Sequence, residues 1–370
     1  MNIQLNYYEK QKINPVFIET RGDKWLKHLL SRNNLYENHL KIPVSWFGGK
    51  SILEFGPNGG ENSLVLAMYG GQISLVEPHK MMHERIHALY SEASLTEQLI
   101  KIDNLTVETY SDDCLYDLVI AEGFIHALPD RSEVIRKLCS FSSNFIIFTY
   151  NEKFGYFFES FKRTVFKRLI EILALDSGDW DQINDLARKV FLESFDKLGS
   201  ARSFESWVKD ILLNPCTTSK SCDSFDQFIT LFEELDFEYY SGSPAWDLRF
   251  SHKWYKNMSV GSLKEEYIEN IPFFISGRKN EEMTRKCIES LSLMTEAFMD
   301  YSSGIKDFKD IQSLPKPQPS HWEYANKINE LLELLSQGNS EKIISFYRES
   351  TLCDLWGMPS HYVCLKRKNN

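Results

Sequence analysis

Three short stretches carry residue types at spacings that could do chemistry. The first is SILEFGPNGGENSLVLAM, residues 51–68, where an apolar run containing Glu54 leads through Gly56, Asn58, Gly59 and Gly60 into a segment of helical spacing at Asn62. Glycines at a strand-to-helix turn permit positive backbone dihedrals and let a ligand lie against bare main chain, and asparagine enters the left-handed region more easily than most residues. The second is QISLVEPH, in which Glu77, followed by Pro78, falls 21 positions after Gly56. An acid at that place, on the tip of the next strand, can accept hydrogen bonds from both hydroxyls of a ribose. The third is AEGFIHALP, where Glu122, Gly123 and His126 follow a further apolar run. Together they describe a nucleoside site.

Two kinds of nucleoside ligand compete for it. A dinucleotide asks for glycine at the first, third and sixth turn positions, which here are Gly56, Asn58 and Glu61. A carboxylate at the helix start repels a pyrophosphate, and Glu54 adds a second negative charge beside the ligand. S-adenosylmethionine has a ribose, an ammonium and a sulfonium but no phosphate, so flanking carboxylates suit it.

Over about residues 50–150 the chain resembles the class I S-adenosylmethionine-dependent methyltransferases. Glu54, Gly56 and Gly60 match that family's first motif, with Asn58 in place of the usual middle glycine and Gly59 beside it. Glu77 matches the ribose-binding acid, and the adenine-side loop corresponds to Tyr110–Asp113. YDLVIAEGFIHALPD matches the fourth motif, with Asp117 opening the strand and Glu122–His126 lining its carboxyl end. The resemblance implies S-adenosylmethionine as cofactor, held by Glu54, Gly56, Asn58, Gly59, Gly60, Asn62, Glu77, Pro78, Ser111, Asp112, Glu122 and Gly123. It also implies transfer of a methyl group to oxygen, less readily nitrogen, of an acceptor. His126 could take the acceptor's proton directly or through water, the alternative being a histidine that packs or caps the helix LPDRSEVIRKL. Glu122 could bind the methionine ammonium or the acceptor, or satisfy a neighbouring backbone donor.

The surrounding pattern supplies elements to hold these residues. SILEF, QISLVE, LTVETY, YDLVIA and NFIIFTY are strand-like and alternate with helical segments, which predicts an α/β fold with a Rossmann-like, mostly parallel seven-stranded sheet and helices on both faces. Helical segments occupy residues 17–40 and end near Pro43. We expect an amino-terminal helical segment (1–49), the cofactor-binding core (50–154) and a helical cap insertion (155–224). Late strands of the core sheet, DFEYYSG and IPFFISGRK, are expected in 225–280, and a helical extension ending in the strand HYVCLKRK in 281–370.

Acceptor contacts are expected from polar-aromatic clusters in the flanking segments: Tyr36 and His39, Arg202 and Trp207, and Trp246 in SPAWDLRFSHKWY. These suit a small polar acceptor such as a saccharide or a secondary-metabolite intermediate. The basic run Lys162, Arg163, Lys167 and Arg168 reads as a solvated helix face, with an acceptor phosphate as the alternative. A formal net charge of -10 disfavours nucleic acid as partner. Seven scattered cysteines without a CxxC pair read as reduced thiols, and His79, His83 and His87 lack a companion carboxylate, so no metal is expected. Neither a leader pattern nor an apolar stretch of membrane-spanning length is visible, which reads as a cytoplasmic protein without a membrane span. Oligomeric state stays open, a homodimer included. A non-catalytic cofactor-binding or scaffold relative, and an RNA or protein methyltransferase, are the alternative functions.

Overall fold

The computed structural model describes residues 7, 10–11, 21–199, 202–245, 260–278, 282–318, 320 and 322–368. In chain order its principal elements are α1 (Gly22–Asn34), β1 (Ser51–Phe55), α2 (Glu61–Met68), β2 (Gln72–Val76), α3 (Lys80–Glu92), β3 (Leu99–Asp103), β4 (Tyr116–Ala121), α4 (Arg131–Phe141) and β5 (Ser142–Asn151). There follow α5 (Phe157–Ile172), α6 (Trp180–Lys197), α7 (Phe225–Glu234), β6 (Phe237–Ser243), α8 (Val260–Ser276), α9 (Arg285–Ser302), α10 (Ala325–Gln337), α11 (Ser340–Glu349) and β7 (Ser360–Arg367).

The chain divides into two compact units. One comprises Val16–Tyr150, Ser224–Ile268 and His361–Asn370 and carries the sheet; the other comprises Met1–Pro15, Asn151–Asp223 and Glu269–Ser360. The segment expected as a cap and the carboxy-terminal helices therefore pack into one body.

Seven strands lie in the order β3-β2-β1-β4-β5-β7-β6. β1 pairs in parallel with both β2 and β4, β2 with β3 and β4 with β5, while β6 and β7 pair antiparallel. Runs such as SILEF and YDLVIA become central strands because most of their side chains are apolar and both faces are covered, so Ile52, Leu53, Leu118, Val119 and Ile120 are all fully buried. Chain direction across the sheet reverses between β1 and β4. Since parallel crossovers are right-handed, α2 and α3 cover one face and α4 the other. This reversal opens a crevice beyond the carboxyl ends of β1 and β4, the place where such sheets hold ligands.

Three expectations need correction. IPFFIS is not a strand but the end of α8, with Pro272 inside the helix. Leu263, Tyr267, Ile271, Phe274 and Ile275 are buried at helical spacing, a period that a short apolar run hides. LTVETY is not the third strand either; LIKID is. In the former, the Thr106 N–H donates to Thr109 Oγ1 at 3.1 Å and the Tyr110 N–H to the Thr106 carbonyl at 2.9 Å, closing a turn. The basic run on α5 is not solvated: Lys162 and Arg163 are fully buried. The Lys162 ammonium donates to the Leu355 carbonyl and lies 4.0 Å from the Trp356 ring centroid, while Arg163 donates to the carbonyls of Thr217 (2.8 Å) and Asn214 (2.7 Å). Charges so enclosed act as struts between loops.

Candidate cofactor and active site

The turn after β1 is shaped largely by the protein's own side chains. Gly56, Asn58 and Gly60 all take positive φ (65°, 52° and 85°). A Cβ on Gly56 would lie 3.0 Å from Phe124 Cδ1, one on Gly60 3.0 Å from Ile86 Cγ1, and one on Gly59 2.9 Å from Arg85 Nε and against the Glu61 carboxylate. Glu61, the first residue of α2, is buried and paired with Arg85. A carboxylate of the chain therefore already stands at the helix start. Gly123 differs: its φ is 79° and a Cβ there would meet nothing within 4 Å. Gly123→Ala should cost only the left-handed backbone, about 1 kcal/mol, whereas Gly56→Ala adds the collision with Phe124. Thermal melts of the two variants should rank them in that order, with Gly56→Ala the lower.

Glu77 follows β2 and is buried. Its Oε2 accepts the Asn58 N–H at 2.9 Å and its Oε1 the His79 N–H at 2.8 Å. Burial pushes its carboxyl above the ordinary value, and these two backbone donors pull it back. Each oxygen retains a lone pair, so the carboxylate is fixed in place with accepting capacity left over.

Glu54, on β1 between Leu75 of β2 and Ile120 of β4, is buried, and its Oε2 has no hydrogen-bond partner among the described residues. Burial and the neighbouring Glu122 push its carboxyl up to about 8. The buried Asn58 Oδ1 likewise has no partner. A buried acceptor without a donor is costly, so both atoms ask for a donor or a cation.

Glu122, beyond the tip of β4, is the hub of the crevice. Arg32 on α1 grips both its oxygens, Nη2 to Oε1 at 2.6 Å and Nη1 to Oε2 at 2.9 Å. Tyr362 of β7 donates to Oε2 at 3.1 Å and Asn62 of α2 at 3.2 Å. Arg32 also donates to the Tyr36 hydroxyl. His28, one turn before Arg32, stacks on Trp25 and has a buried Nε2 without a partner among the described residues; burial and Arg32 push it down to about 4. His28, Arg32 and Tyr36 follow one another at four-residue steps, so helical geometry puts them on one face. That spacing was the sequence signal for His28, which was not singled out, whereas nothing near Tyr362 in the chain announced its part. Three carboxyl groups, those of Glu54, Glu77 and Glu122, thus gather here, and the repulsion of the other two adds to the raising of Glu54 by burial.

The other expected residues fall in several places. His126 lies on the 3₁₀ turn Ile125–Ala127 after β4, half-buried. Pro78 follows Glu77, and its carbonyl accepts the Asn104 amide at 2.8 Å. Asp112 is taken up by the protein's own side chains. The Asp112 carboxylate accepts from Lys101, Tyr110 and Tyr116, each at 2.8 Å, and from the Cys114 N–H at 2.9 Å. This network, led by Lys101, holds its carboxyl well below the usual range. With β3 ending at Asp103, the residues at its carboxyl end are Asp103, Asn104 and Leu105.

Tyr36 is fully buried, and His39 Nδ1 lies 3.0 Å from Ser243 Oγ. Arg202 and Trp207 belong to the helical unit: Arg202 pairs with Asp210 at 2.6 Å, and Trp207 is buried among Phe191, Phe195, Phe204 and Trp356. Trp246 lies outside the described residues. All seven cysteines are free, no group of metal-ligating side chains occurs among the described residues, and no described helix is long and apolar enough to cross a membrane.

No family model matches the chain, and no curated protein does. Solved structures similar to it include the magnesium protoporphyrin IX methyltransferase of Synechocystis PCC 6803 with bound SAM, at TM-score 0.30 and 15% identity, covering 40% of this chain and 71% of that one. Another is a StiE O-MT segment, at TM-score 0.38 and 9% identity, covering 92% and 74%. A third is the N-methyltransferase NodS of Bradyrhizobium japonicum WM9 in complex with S-adenosyl-L-homocysteine, at TM-score 0.31 and 11% identity, covering 41% and 75%. In strand order and crossovers the sheet unit has a Rossmann-like, mostly parallel α/β fold.

Proposed function

We propose that the chain binds S-adenosylmethionine beyond β1, β2 and β4 and transfers its methyl group to oxygen, less readily nitrogen, of a small polar acceptor, a saccharide or secondary-metabolite intermediate being the class favoured. The observation that carries this is the buried Glu54 carboxyl, whose Oε2 has no hydrogen-bond partner among the described residues and whose proton burial and the neighbouring Glu122 and Glu77 help retain. A phosphate-bearing cofactor would add anions beside it, whereas one with an ammonium and a sulfonium supplies positive charge.

Glu77 would receive the ribose diol on its remaining lone pairs while Asn58 and His79 keep it aimed. The adenine would lie over Asp103–Leu105, the loop next outward from Glu77, in place of Ser111 and Asp112. Glu54 and Glu122 would take the positive charges. When bound, the cofactor supplies an electrophilic methyl group on sulfur. Catalysis by the chain then consists of holding an acceptor in line with it and taking a proton, and His126, just past the tip of β4, is the group proposed to take it. The exposed Gly123 leaves room for the acceptor beside it.

Calorimetric titration tests the reading. S-adenosylhomocysteine should bind saturably at one site, and ADP and NAD should not. Binding of ADP or NAD with none of S-adenosylhomocysteine would overturn it. Release of S-adenosylhomocysteine from S-adenosylmethionine on addition of hydroxylated acceptors would then separate an enzyme from a binding protein.

A further inference from the structure

An α-amino acid presents a carboxylate and an ammonium on one carbon, and the crevice already contains the complementary pair. Arg32 and Glu122 face each other through two parallel hydrogen bonds, side chains 7% and 10% exposed, at the reversal point between β1 and β4. We propose that this pair is a built-in stand-in for the amino-acid end of the cofactor, and that binding exchanges it: Arg32 passes from Glu122 to the ligand's carboxylate, and Glu122 from Arg32 to the ligand's ammonium. The inference rests on the cofactor reading above and assigns the residues that recognise the amino-acid end.

Four observations support an exchange over a fixed strut. First, the fork of a guanidinium fits any carboxylate bidentately, so Arg32 loses nothing in geometry by changing partner. Second, Glu122 is held by two further donors, Tyr362 and Asn62, which can keep its carboxylate in position after Arg32 moves. Arg32 keeps the Tyr36 hydroxyl in the same way. Third, the Glu54 carboxyl neighbours Glu122 and its Oε2 has no partner among the described residues, so an arriving ammonium meets a second acid that can give up its proton and pair with it. Fourth, Arg32 comes from α1, outside the strands and turns that form the nucleoside part of the crevice. The nucleoside and the amino-acid end are therefore read by different segments and should be separable by experiment.

Ligands that differ only at the amino-acid end make the test. In wild type, S-adenosylhomocysteine should bind at least about 30-fold more tightly than methylthioadenosine, which keeps the nucleoside and sulfur but lacks both charged groups. Decarboxylated S-adenosylhomocysteine should fall with methylthioadenosine. In Arg32→Met, the affinity for S-adenosylhomocysteine should drop by about the same factor, with that for methylthioadenosine changed less than threefold. Arg32→Lys, which keeps a cation but not the fork, should lie between. If wild type binds S-adenosylhomocysteine and methylthioadenosine equally, the exchange is wrong while the cofactor reading stands; if it binds neither, the cofactor reading itself fails. Equal losses for both ligands in Arg32→Met would make Arg32 a structural strut and overturn the proposal. Should that variant not fold, Arg32→Lys carries the same comparison: a loss for S-adenosylhomocysteine larger than that for methylthioadenosine supports the exchange, and equal losses overturn it.

Discussion

Replacing Glu77 with alanine is expected to weaken binding of S-adenosylhomocysteine by about 10- to 150-fold, the equivalent of about 1.5–3 kcal/mol for charge-assisted hydrogen bonds to a ribose. The carboxylate is buried, oriented by the Asn58 and His79 amides and ionisable against the pull of burial because those donors oppose it. Truncation also leaves those two amides without their acceptor, so a fall in affinity alone does not isolate the ribose. The 2′-deoxy analogue does. It should bind wild type more weakly than S-adenosylhomocysteine, whereas Glu77→Ala should hardly distinguish the two. If the variant still discriminates, the diol is read elsewhere.

The second large effect concerns Glu54, and its sign differs between stability and binding. Its carboxyl titrates at about 8 in the fold against an ordinary 4.5. Below pH 4.5 it is protonated both folded and unfolded and contributes no pH dependence. Between 4.5 and about 8 the unfolded chain gives up the proton and the fold keeps it, so stability falls with rising pH, by about 1.4 kcal/mol per pH unit. Above that range the loss is complete. Glu54→Gln keeps the shape without the titration. The variant should therefore match wild type near pH 5 and exceed it by on the order of 4 kcal/mol at pH 8, seen as a difference in denaturant midpoint that grows with pH. Binding should go the other way. Pairing a cationic ligand with Glu54 requires the ionised form, so at pH 7 wild type should release close to one proton on binding S-adenosylmethionine. Calorimetry in buffers of different ionisation enthalpy reads that number. Glu54→Gln should release none and bind at least tenfold more weakly. A variant that binds as tightly as wild type, with no proton released by either, would remove Glu54 from the site.

Much of this arrangement was legible in the chain. Six of the seven strands, the turn at Gly56–Gly60 and the acid at Glu77 follow from apolar runs, turn chemistry and one spacing, all of which are local. Interactions across the sheet were not. The purpose of Gly59 is set by Glu61 and Arg85 on two different helices, so the same glycines that suggested bare backbone for a ligand turn out to accommodate the protein's own side chains. Asp112 sat in a plausible loop, but Lys101, Tyr110 and Tyr116 claim it, and only three dimensions bring those three together. α8 was misread because the last turn of an amphipathic helix, seen without its first three turns, has the composition of a strand. The Lys162–Arg168 run looked solvated because charged residues usually are, yet Lys162 and Arg163 are buried and donate to carbonyls of distant loops within the helical unit.

A crystal structure with S-adenosylhomocysteine bound tests the central claim most directly. The account expects the ribose hydroxyls within hydrogen-bonding distance of Glu77, with the nucleoside lying beyond the carboxyl ends of β1 and β2. Nucleoside bound away from Glu77 at saturating ligand would contradict it.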